Sequence, residues 1–83
     1  GVEQAGRPAA QDWESQMTFD IAVFDHRTSA LLSTDTAEFG AIPEWGDALF
    51  VAQLGDCRVQ KRQADWQARL ISLYVVPEAE WSL

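Results

Sequence analysis

Leu49-Phe50-Val51-Ala52-Gln53-Leu54, then Gly55-Asp56, then Cys57-Arg58-Val59-Gln60-Lys61-Arg62-Gln63 is the stretch that decides the fold. Apolar residues recur at about every second position on both sides of a glycine, which is the period of a half-buried strand and not of a helix. Gly55 supplies the positive φ that a type II′ hairpin turn needs at its first central position. The segment therefore reads as two antiparallel strands, Leu49–Leu54 and Cys57–Gln63.

The β pattern continues on both sides. Downstream, a polar loop over Gln63–Gln67 holds Trp66, and Ala68–Val76 is the longest β-rich run, closed by Pro77. One helical turn over Glu78-Ala79-Glu80-Trp81 is expected to start at that proline. Upstream, Phe19, Ile21 and Val23 alternate in a strand from Thr18 that ends at Asp25-His26-Arg27. A shorter strand is expected at Ala30-Leu31-Leu32. Asp35-Thr36-Ala37-Glu38 has an acidic cap with Glu three residues on, so a helical turn or tight loop is expected there. Pro8 opens a short helix to Gln16 on propensity, with Ala9, Ala10, Trp13 and Met17 as a thin apolar face.

Eighty-three residues supply one hydrophobic core. The chain divides into an N-terminal extension, residues 1–17, and a single small β-barrel domain, residues 18–83. Met17 is the only methionine and reads as a natural start, which would make 1–16 vector-derived or upstream sequence; the alternative is a docked helix. Five short strands closing as an antiparallel barrel, with helical segments at both ends, are the expected architecture.

Six Lys and Arg stand against thirteen Asp and Glu, a net charge of -7, so nucleic acid and anionic membranes are not expected partners. No run of apolar residues is long enough for a membrane-spanning helix, and no signal sequence is visible, so a cytoplasmic protein is expected. The charge is uneven: residues 1–56 hold ten acids and two bases, residues 57–83 three acids and four bases. Arg58, Arg62 and Arg69 are the candidates for anion contact. Alternation puts Arg58 and Arg62 on one face.

Chemistry is sparsely supplied. Cys57 and His26 are the only thiol and imidazole, and alternation turns Cys57 inward, where a thiol behaves as a small hydrophobe. Structural zinc needs four such ligands. No metal and no cofactor are expected, and an enzyme is not favoured.

Contacts are better supplied. Ile21, Val23, Leu49, Val51, Cys57, Val59, Ile71, Leu73 and Val75 alternate onto one face and suffice for a core. The opposite face carries Phe24, Phe50, Leu70 and Tyr74, where a solvated sheet face would be polar. Either the chain's own ends, through Trp13 or Trp81, or a second copy must cover it. Four tryptophans fall outside core strand positions, and Trp45 and Trp66, in loops, are the candidate partner contacts.

Pro43-Glu44-Trp45-Gly46-Asp47-Ala48-Leu49-Phe50-Val51, Gly55-Asp56-Cys57-Arg58-Val59, Arg62 and Leu70-Ile71-Ser72-Leu73 together resemble small SH3-like barrel proteins, among them bacterial proteins carried as integron gene cassettes. Cys57 stands where that pattern commonly has Tyr. The resemblance covers residues 41–76 and implies a barrel that often self-associates, with no defined chemistry. The functional expectation is a non-catalytic binding or assembly module, forming a homodimer through its apolar sheet face. The alternatives are an acidic inhibitor or antitoxin-like partner of a basic protein, or a small-ligand-binding domain.

Overall fold

A computed structural model describes residues 14–81 as one five-stranded sheet curled into a half-barrel. The strands are β1 (Thr18–Asp25), β2 (Leu31–Glu38), β3 (Ala48–Val51), β4 (Gly55–Asp65) and β5 (Leu70–Pro77), in the spatial order β2-β1-β5-β4-β3. Single 3-10 turns follow β2 at Phe39–Ala41 and β5 at Glu78–Glu80. Among the described residues no helix is long and apolar enough to cross a membrane. The helix expected from Pro8 falls, up to Trp13, outside the described residues; Glu14–Gln16 are helical.

The expectation of an all-antiparallel sheet needs correction. β1 and β5 run parallel at the centre, with Ile21 opposite Ile71 and Val23 opposite Leu73. Four reversals, three of them hairpins and the fourth the β2–β3 connection, leave β5 pointing the same way as β1, and the strand order sets the two side by side. The parallel pair supplies much of the core: Phe19, Ile71 and Val75 are fully buried, and Leu73 nearly so. The alternation seen in the sequence places all the expected inward residues on this concave side, where Phe19 and Ile42 join them in the core cluster.

β2 is also longer than the sequence suggests. Asp35–Glu38 is strand, not a helical turn, because it pairs with β1 from Thr18 opposite Glu38 through Phe24 opposite Leu31. Seven register pairs along β2 outweigh a local capping pattern, and the 3-10 turn is displaced to Phe39–Ala41. The β3–β4 hairpin differs in its turn. Val51 pairs with Gly55, and Leu54 N–H donates to Val51 O at 3.0 Å, so Ala52–Leu54 is a three-residue loop and not a II′ turn at Gly55-Asp56. Gly55 keeps the positive φ, at 84°, as the left-handed residue that closes such a loop.

Two bulges bend β2 and β4. Phe24 pairs with Leu31 while Val23 pairs with Ser33, leaving Leu32 extra; Val59 pairs with Val75 while Lys61 pairs with Tyr74, leaving Gln60 extra. An extra residue inverts the inward-outward order of everything beyond it. In β4 this turns Arg62, opposite Leu73, to the concave side, whereas Arg58, opposite Val76, stays outside. The expectation that they share a face fails for that reason.

Candidate functional site

The outer face carries a cross-strand row. Leu31, Phe24, Tyr74 and Lys61 lie opposite one another across β2, β1, β5 and β4. Phe24 and Tyr74 stack with centroids 5.0 Å apart, the Lys61 ammonium sits 5.4 Å over the Tyr74 ring, and His26 meets that ring edge-on at 6.5 Å. Leu31 is 57% exposed. Beside the row lies a shallow hollow of about 450 Å³ edged by Asp20, Ala22, Thr34, Thr36 and Leu70. Phe24, Tyr74 and Leu70 thus share one surface. Phe50 does not belong to it: it projects, 70% exposed, from the edge strand β3, two strands away from Tyr74.

The C-terminal segment covers another part of the outer face. Arg58 donates from Nε and Nη2 to both oxygens of Glu78, at 3.0 and 3.1 Å, and from Nη1 to Gly46 O at 3.0 Å. This pairing holds the Glu78 carboxyl below its usual range and the guanidinium above its own. Trp81 then reaches Trp45, with ring centroids 5.1 Å apart. Trp45 occupies the turn Glu44–Asp47, where Asp47 N–H donates to Glu44 O and Gly46 takes a φ of 86°, as the third position of a type II turn requires. Trp45 remains mostly exposed, and Trp81 covers neither Phe50 nor Leu70, both of which stay exposed.

Trp66 packs on the core and stays 44% exposed. It meets Phe19 edge-on at 4.9 Å and Phe39 at 4.8 Å, closing the end of the half-barrel where the β2–β3 connection passes. Arg62 lies 4.9 Å over Phe39 and donates to Ile42 O and Pro43 O, at 3.4 and 3.2 Å; Arg69 lies 5.9 Å over Phe19. Of the three arginines singled out, two are therefore engaged with internal acceptors and the third with a ring.

At the opposite end Asp25 is buried, and Arg27 grips it from Nε, Nη2 and its own backbone N–H at 2.8–3.1 Å while Nη1 reaches Glu80 at 2.8 Å. Those donors hold the Asp25 carboxyl down at about 2. Cys57 is fully buried, and its thiol donates to Gly55 O at 3.5 Å. Burial pushes its pKa up, followed by the negative charges of Asp25 and Asp56, which favours the neutral thiol. Among the described residues no three His, Cys, Asp or Glu side chains gather to hold a metal.

Sequence reading missed Leu31 and Lys61 as members of the outer row. Consecutive leucines at 31 and 32 were the available sign, since a regular strand can hide only one of two neighbours. Lys61 was concealed by the bulge beside it. No protein-family model, curated protein or solved structure matches the chain.

Proposed function

We propose that this protein is a non-catalytic assembly module that pairs with a second copy through the outer face of its sheet. The observation that carries the reading is the Leu31–Phe24–Tyr74 row: a solvent-facing strand surface would be polar, yet here a stacked aromatic pair is flanked by an exposed leucine. A two-fold pairing suits a single patch, because the patch need only complement itself. Asp20, beside the row on the same face, would sit at the rim, where charge is tolerated by solvation. We also read the half-barrel as an open form of the SH3-like architecture that residues 41–76 resemble; a curved five-stranded sheet supports that reading.

Sedimentation velocity at rising protein concentration tests the pairing. The weight-average mass is expected to approach twice 9.3 kDa. Leu31→Glu, on an exposed position, is expected to keep the thermal melt and return the protein to a monomer. A monomeric parent across the whole concentration range removes the proposal.

A further inference from the structure

We propose that the open seam between β2 and β3 accepts an extended, positively charged segment of a partner protein as an added strand. This surface is separate from the outer row. Among the described residues β2 and β3 are the two ends of the strand order, so each is hydrogen-bonded there to a neighbouring strand on one side only. A groove of about 140 Å³ opens between them, floored by Ile21, Val23, Leu49, Val51 and Leu73. An extended segment laid along β2 would send every second side chain onto that floor while its backbone pairs with the free edge. The eight residues of β2 span roughly 26 Å, enough for a segment of six to eight residues.

One edge group already shows the pairing in miniature. Gln53, in the β3–β4 loop, donates from Nε2 to Leu32 O at 2.6 Å, meeting a main-chain carbonyl of β2 from the far side of the seam. A strand N–H would do the same further along the edge.

Charge selects the occupant. From Leu31 to Asp56, which covers both edges and the connection between them, the chain has Asp35, Glu38, Glu44, Asp47 and Asp56 and no Lys or Arg. Asp35 lies opposite Ile21, exposed at the mouth of the groove on its concave side. An inward-facing charge on an edge strand opposes pairing with another copy of the same acidic chain. It attracts a cationic segment by the same field.

A capped nonapeptide of alternating lysine and valine, titrated into the isotopically labelled full chain and followed by NMR, tests the proposal. Shifts are expected at Ser33–Glu38 and Leu49–Val51, with slowed amide exchange along β2. The glutamate–valine counterpart is expected not to bind. Affinity should fall as salt rises from about 0.05 to about 0.5 M. Asp35→Lys should weaken binding about tenfold or more and Asp35→Asn by less, both with an unchanged melt. Equal binding of both peptides, or shifts centred on Phe24 and Tyr74, overturns the proposal. So does protection of the β2 edge amides without peptide: if it grows with protein concentration a second copy fills the seam, and if it is constant the chain's own end does.

Discussion

The two ends of the half-barrel are closed by opposite chemistries. At one, Phe19, Phe39 and Trp66 pack ring against ring beneath the guanidinium groups of Arg62 and Arg69. At the other, a buried Asp25 is satisfied by Arg27, which is tied in turn to Glu80. Rings gain from leaving water and tolerate imperfect geometry, whereas a buried carboxylate must have its donors in place or it costs stability. The aromatic end should therefore set the magnitude of stability, and the ionic end its dependence on pH.

Breaking the aromatic end should produce the largest effect. Phe19→Ala removes a fully buried ring and is expected to cost about 3–5 kcal/mol in urea denaturation, enough to abolish a cooperative transition in so small a domain. Trp66→Ala leaves Phe19 and Phe39 without their lid; two aromatic contacts worth ~0.5–1.5 kcal/mol each predict a melt lowered by roughly 5–20 °C.

The ionic end should show itself on acidification. Asp25 has its folded pKa lowered from 3.8 to about 2, so its contribution is complete above pH 4 and is lost as pH falls from about 4 to 2. Denaturation midpoints measured across that window should drop for the parent. Asp25→Asn should be weaker at neutral pH and flatter across the window, and an unchanged acid slope in that variant would show that the end does not control it. The smallest effect is expected from Glu78→Gln, since its ion pair with Arg58 is solvent-exposed. Its neutral-pH melt should match the parent's, while near-ultraviolet dichroism reports loosening of the Trp45–Trp81 pair.

Much of the inner face was legible in the residues. The period of two through Ile21-Val23, Leu49-Val51, Cys57-Val59 and Ile71-Leu73-Val75 is imposed by strand geometry itself, so the core could be read without knowing which strands touch. The outer surface was legible in part: Phe24, Tyr74 and Leu70 come together, but Phe50 stands apart because β4 lies between β3 and β5. Neighbourhood across a sheet depends on strand order, and strand order is not a local property.

By itself, then, the sequence determined an acidic, mainly β chain, its inward residues, its punctuation at Gly55 and Pro77, and a thiol turned toward the core. Tertiary structure alone decided the parallel meeting of β1 with β5, the extension of β2 through Asp35–Glu38, and the bulge at Gln60 that sends Arg62 inside and leaves Arg58 outside. The physical reason is common to all three. Alternation is a property of one strand, carried by its own residues, whereas direction, length and register are fixed only when a second strand supplies the hydrogen bonds.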